Sequence, residues 1–333
     1  MSETCLVDFY ALGNGSKPEV IEGLFREQQV VALAGPYAAG KSPLLADFTV
    51  HSVYGIPWCS RMMSQRPVIA FDFETPGNAY RANIERISAR LGVSPPQVDQ
   101  QLDPYLYLDD MKCPNTATLH AALASPTDGA KFTLLGAALA KKPNALVLLD
   151  PAELLFRLDK LKTGEILKLY SRFRAILSKF PHATIVSTFN LRKFDKKNGR
   201  CNLLGDPRGW LEEVCGSLDL LNRCDVRLGI DEHGEAKVLN GLRRGESMTP
   251  TVMRSVEVGA DVYAGFEIAP NTALVELVLT KTEMKHWNNV PNSFTFSEGE
   301  KFVPHTSLDR LVKKCARLGL LAYEQDRYVK SKC

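Results

Sequence analysis

Residues 33–45 read LAGPYAAGKSPLL, so Gly35 and Gly40 are followed at once by Lys41 and Ser42. This spacing, G-x-x-x-x-G-K-S, suits a loop that holds phosphate. Glycines let the main chain wrap closely and turn its N–H groups inward, and a helix starting near Lys41 would add its positive end to the cradle. Gly35, Pro36, Tyr37, Ala38, Ala39, Gly40, Lys41, Ser42 and Pro43 then form the binding loop for ATP. Lys41 would reach the β- and γ-phosphates and Ser42 would hold Mg²⁺. Pro43 fits the first helical turn, where its missing N–H removes no helix bond. The competing reading is a glycine turn beside a surface lysine, and a strand before the loop with a helix after it is what separates the two.

A phosphate loop that hydrolyses its ligand needs acids. Asp150 ends the apolar run ALVLLD, where a carboxylate would hold Mg²⁺ through water; alone, it could simply cap the turn DPAE. Glu74 closes VIAFDFETP, placed to orient and deprotonate the water that attacks the γ-phosphate. Asp72, two residues earlier, shares its face of the strand, so strand geometry leaves the assignment between these two acids open. The next run ends STFN, with Thr188 and Asn190 able to hydrogen-bond the γ-phosphate or the water.

These side chains need a scaffold that brings several strand ends together. VVALAG, RPVIAFDFE, NALVLLD and HATIVSTFN are continuous apolar runs, as expected of strands covered on both faces. Between them, PGNAYRANIERISARLGV and TGEILKLYSRFRAILSKF carry apolar residues at helical spacing, which predicts a mostly parallel sheet flanked by helices. Beyond about residue 235 the texture changes to short β-like pieces, and a last helical block begins near Thr272. With 333 residues the chain can bury a large core. Its formal charge of +3 is too small to argue nucleic-acid binding from the total, so a basic surface must be local. The first residues, MSETCLVDFY, lack the pattern of a secretory signal, and no apolar run approaches a membrane span. The eight cysteines form no C-x-x-C pair, which reads as reduced thiols in a cytoplasmic protein.

The succession GPYAAGKSPLLADF, GIPWCSRMMSQRPVIAFDFETPGNAYRANIERI and NALVLLDPAELLF resembles the RecA-like ATPases of the RepA-type hexameric plasmid helicase group, over about residues 20 to 250. The resemblance implies a RecA-like P-loop NTPase domain, assigned to residues 1–270, that forms a homo-oligomer, usually a ring of six, with ATP between neighbours. Glu74 corresponds to that group's catalytic glutamate, and residues 215–230 resemble the Gly-Ser segment leading into the next core strand. Two departures stand out. Asn190 occupies the place where the group often has His, and Asn cannot titrate. DnaB-type relatives reach into a neighbour's site with Lys-x-Arg, whereas NGLRRGE keeps Arg243 but has Gly241 for the lysine. Arg243, or Arg244, is the candidate arginine finger, against the plainer reading of a surface pair on a hairpin.

Residues 192–200, RKFDKKNGR, place Arg192, Lys193, Lys196, Lys197 and Arg200 around a single acid. In RecA-like rings the loop at this point faces the central channel, which makes it a candidate grip on single-stranded DNA; a solvated loop would have the same composition. Residues 271–333 form a small C-terminal unit. Within it, 305–329 reads as an amphipathic helix and hairpin resembling the end of a winged helix, with Arg310, Lys313, Lys314 and Arg317 as possible DNA contacts. The expectation is an ATP- and Mg²⁺-dependent helicase or translocase acting in DNA replication. The alternative is a nucleotide-dependent regulator or adaptor that binds DNA or a protein without unwinding.

Overall fold

The computed structural model describes residues 17–72, 79–96, 105–109, 128–152, 161–191, 202–234, 236–243, 246–259, 262–269, 275, 279–317 and 320–331. A short hairpin, β1 (Glu19–Ile21) and β2 (Phe25–Arg26), leads into β3 (Val30–Gly35) and then α1 (Lys41–Tyr54). There follow β4 (Val68–Asp72), α2 (Ala79–Leu91), β5 (Tyr105–Asp109), α3 (Asp128–Lys141), β6 (Leu146–Asp150), α4 (Thr163–Lys179) and β7 (Thr184–Asn190). Two short helices, α5 (Pro207–Leu211) and α6 (Asp219–Asn222), precede β8 (Val226–His233), β9 (Ala236–Arg243), β10 (Glu246–Ser247), β11 (Thr251–Glu257) and β12 (Tyr263–Ile268).

The main sheet runs β12-β11-β9-β8-β3-β7-β6-β4-β5, with β10 paired to β9. The six strands from β8 to β5 are parallel, and β9, β11 and β12 extend that sheet antiparallel. This mostly parallel sheet flanked by helices, with a loop and helix after β3, is the α/β architecture expected of a P-loop NTPase. The four apolar runs singled out in the sequence are β3, β4, β6 and β7, and each is buried almost throughout.

Strand parity divides the core between the two faces. Val30, Ala32, Ala34, Ile69, Phe71, Val147 and Leu149 pack towards α3 and α4. Val31, Leu33, Val68, Ala70, Leu146 and Leu148 pack towards α1 and α2. Continuing the second set outwards along each strand gives Asp72, Asp150, Thr188 and Asn190, so alternation alone puts these polar side chains on the α1 face. Burying each apolar side chain contributes roughly 1.5–3 kcal/mol, which is ample to hold a few buried polar groups in place.

Helix α1 is anchored from behind by Asp47, which is fully buried and accepts hydrogen bonds from Trp58 Nε1 (2.7 Å) and the Phe266 N–H (3.2 Å). His51 and Arg90 lie 3.6 and 3.7 Å from its other oxygen. One carboxylate thereby ties the helix to the Trp58 turn and to β12.

The C-terminal segment contains α7 (Lys281–Asn289), β13 (Ser293–Phe294), α8 (Phe296–Gly299), α9 (His305–Arg317), β14 (Leu321–Glu324) and β15 (Arg327–Lys330), with the strands ordered β13-β15-β14. The helix and hairpin expected over 305–329 are α9 and β14–β15. Both α7 and α8 open with a capping box, Thr280 with Glu283 and Thr295 with Glu298. Among the described residues no helix is long and apolar enough to cross a membrane.

Candidate active site

The loop between β3 and α1 stands at the C-terminal ends of the parallel strands. Gly40 is the N-cap of α1 at φ 97°, ψ 23°, a left-handed conformation that glycine adopts without a Cβ penalty. It offers no side-chain hydrogen bond, so no cap competes with an anion at the positive end of this 14-residue helix. Pro43 lies in the first turn, as expected. Lys41 is 7% exposed and donates to the carbonyls of Gly35 (3.2 Å) and Pro36 (2.8 Å), which holds its ammonium inside the loop. Tyr37, by contrast, is 85% exposed.

Register brings the remaining groups alongside. Gly35 pairs with Asn190, and Asp72 pairs with both Asp150 and Asp109. Asp150 is 1% exposed and accepts a 2.5 Å hydrogen bond from Thr188 Oγ1. Burial pushes the Asp150 carboxyl above its ordinary range, opposed by hydrogen bonds from Ser42 and Thr188 and by the Lys41 charge. The loop serine therefore lies close enough to the strand-end aspartate to favour its charged form. Asp150 Oδ2 and Asn190 Oδ1 are buried without a hydrogen-bond partner among the described residues. Leaving such atoms unmet costs roughly 1–3 kcal/mol each, which is tolerated where a ligand or water completes them.

A hard cation of the Mg²⁺ type takes oxygen ligands, usually one or two from protein and the rest from water and phosphate. Ser42 Oγ beside a carboxylate with an unmet oxygen fits that donor set. No cluster of three or more His, Cys, Asp or Glu that could hold a metal ion occurs among the described residues.

Some expectations change on inspection of the structure. Thr188, read as a contact to the γ-phosphate or water, has its hydroxyl committed to Asp150. Arg243 lies opposite Val226, at the N-terminal ends of the parallel strands, and forms an ion pair with Glu19 at 3.3 Å. With about 3.4 Å per residue in an antiparallel strand, β9 separates Arg243 from the loop end of the sheet by roughly 20 Å. Gly241 is enforced by packing, since a Cβ there would stand 2.0 Å from the Arg227 carbonyl oxygen. A lysine at that position is sterically excluded. Glu74, Arg244 and the basic positions Arg192, Lys193, Lys196, Lys197 and Arg200 lie outside the described residues. On α9, Arg310 is exposed, Lys313 pairs with Asp309 (2.9 Å) and Lys314 with Glu283 (2.8 Å).

The sequence reading missed Lys237 and Phe266. A Cβ on Gly40 would meet Lys237 Cε and Phe266 Cζ at 3.5 Å, so both side chains flank the loop. Local sequence gives no sign of this, because the contact arises only when the antiparallel strands fold back along β8, one strand away from β3. Among the described residues Cys59, Cys215, Cys224 and Cys315 are free, and burial pushes Cys224 and Cys315 up to about 12, which makes these two thiols poor nucleophiles.

A family model described as an AAA domain matches residues 7–188. Among solved structures, the crystal structure of the RadB recombinase is similar at 15% identity and a TM-score of 0.44, covering 73% of this chain and 91% of that one. No curated protein matches the sequence.

Proposed function

The chain belongs to the AAA-domain family and is a nucleotide-dependent ATPase; from that premise we propose that it hydrolyses ATP with Mg²⁺ as a ring-forming oligomer, most simply a hexamer, translocating on single-stranded DNA as a replicative helicase in the cytoplasm. The observation that carries the reading is the meeting of Ser42 with Asp150 beneath the N-terminus of α1, with Asp150 Oδ2 left unpartnered.

The loop amides and Lys41 bind the phosphate chain, and Asp150 with Ser42 holds Mg²⁺, which neutralises phosphate charge when bound. Glu74 takes the proton of the attacking water, and Asn190 orients that water by hydrogen bonding. Arg243 is too far from the loop of its own chain, which suits a guanidinium delivered to a neighbour's site. The loop containing Arg192, Lys193, Lys196, Lys197 and Arg200 supplies the basic grip on the DNA backbone. A winged-helix-like role for residues 271–333 is supported by the helix, strand, helix, helix, hairpin order, with Arg310 among its exposed cations.

The second reading, a nucleotide-dependent switch without unwinding, is favoured by the Arg243–Glu19 pair, which must open before Arg243 can act on a neighbour. ATPase rates with and without single-stranded DNA, followed by strand displacement, separate the two. Stimulation with unwinding supports the motor; tight ATP binding with neither supports the switch. An unchanged ATPase rate in Lys41→Ala would sink both.

A further inference from the structure

Strands β8 and β9 form a hairpin at the loop end of the sheet, and Glu232 faces Lys237 across it. The Lys237 ammonium forms an ion pair with Glu232. The two partners are unequally held: the Lys237 side chain is 15% exposed and that of Glu232 is 57% exposed. Lys237 runs beside Gly40, where a Cβ would stand 3.5 Å from its Cε and 3.6 Å from its Nζ, with the buried Phe266 ring at 3.5 Å from the same point. Lys237 is thus pinned against the phosphate loop, while Glu232 is free to turn into solvent.

The electrostatics of this placement are unusual. A cation beside a helix N-terminus is disfavoured, and Lys41 already brings one positive charge to the loop. A second ammonium there needs an anion. Glu232 supplies one within the chain, but a polyphosphate held by the loop carries more charge and cannot swing away. We propose that Lys237 is a phosphate-binding residue of this site, acting within its own chain, and that Glu232 is an internal competitor that the phosphate chain displaces. The inference rests on the phosphate-loop reading and adds to it a residue and a ligand-exchange step.

A cross-strand ion pair that merely braces the hairpin makes a different prediction, because bracing is lost equally from either side. Displacement gives opposite signs. The experiment is calorimetric titration of the full chain with ATP and Mg²⁺, comparing wild type, Lys237→Met, Lys237→Arg and Glu232→Gln, with thermal unfolding without nucleotide as the check on folding. Lys237→Met should weaken binding about tenfold, the size of one charge-assisted hydrogen bond. Glu232→Gln should tighten it by about threefold, the scale of an exposed ion pair removed from competition. Lys237→Arg, which keeps the charge, should recover most of the affinity.

Wild-type affinity in folded Lys237→Met overturns the inference, as does an equal weakening in Glu232→Gln. If Lys237→Met fails to fold, the sign of the Glu232→Gln effect decides: tighter binding sustains the inference, and unchanged or weaker binding ends it. Where wild type binds ATP and Lys41→Ala does not, these failures leave the phosphate-loop reading standing. A wild type that binds no ATP removes both.

Discussion

The two ends of the parallel strands treat charge in opposite ways. At the N-terminal ends, acids are matched to donors within the chain. Asp225 accepts from the Val30 N–H (2.9 Å) and Arg174 (2.7 Å), Glu27 meets Arg66 (3.2 Å) and His182 (2.7 Å), and Glu19 meets Arg243 and Arg26. At the C-terminal ends, Asp150 Oδ2 and Asn190 Oδ1 are buried without hydrogen-bond partners among the described residues. A fold can close its polar groups on each other wherever nothing else is needed. The end left open is where something else is to bind. The difference teaches that the stability of this sheet is anchored at one end and its chemistry held at the other.

The largest effects should come from charges proposed to meet the transferred phosphoryl group. Lys41→Ala is expected to lower the ATPase rate about a thousandfold, with ATP binding lost alongside. Arg243→Ala should cost a similar factor while leaving ATP binding intact, because its guanidinium sits at the far end of β9. Mixing Arg243→Ala with Glu74→Gln subunits should recover part of the rate, since some interfaces then pair an intact arginine with an intact glutamate. If mixing recovers nothing and size-exclusion shows only monomers, Arg243 belongs wholly to the anchored end, as the partner of Glu19.

Exchanging one carboxylate for its amide at each end sharpens the contrast. Asp225→Asn should destabilise the chain by roughly 1–3 kcal/mol in urea unfolding, because the buried carboxylate loses its charge towards the half-exposed Arg174 and weakens as the acceptor for the Val30 N–H, yet it should leave ATP binding nearly unchanged. Asp150→Asn should do the reverse: hydrolysis falls by a large factor while stability at neutral pH holds or rises, since burial already disfavours that charge. Equal losses of stability in the two variants would erase the distinction.

How much of this was legible in the sequence follows from the range of the forces involved. Strands β3, β4, β6 and β7, the loop, and the parity that puts Asp72, Asp150, Thr188 and Asn190 on one face depend on period and local turn chemistry, which a single sequence displays. Strand β5 and helix α3 were not singled out. The openings of α7 and α8 were legible but unread: TKTE and TFSE each carry the Thr-x-x-Glu capping box. Gly241 was read as a departure from related ATPases, and its cause is the Arg227 carbonyl on the neighbouring strand, which no local pattern reveals. Lys237 escaped for the same reason, since its distance from Gly40 is set by the order β9-β8-β3.

The smallest expected effect is a pair of opposed pH responses, measured by thermal unfolding in EDTA without nucleotide. Burial raises Glu19, but the Gly23 N–H with Arg243 and Arg26 outweighs it and leaves the carboxyl below its ordinary value. A lowered folded-state value means the unfolded chain binds more protons in that window. Glu19 therefore contributes stability above its unfolded value of about 4.3, and that stability is lost as pH falls through the lower folded value. Asp150 is raised, so its contribution is present below an unfolded value of about 3.9 and is lost as pH rises through the folded one. Relative to wild type, Glu19→Gln should lose most stability at neutral pH and converge with it in acid, whereas Asp150→Asn should converge in acid and gain towards neutrality. Curves that bend the same way would mean that both acids serve packing alone, and the open end of the sheet would lose its electrostatic signature.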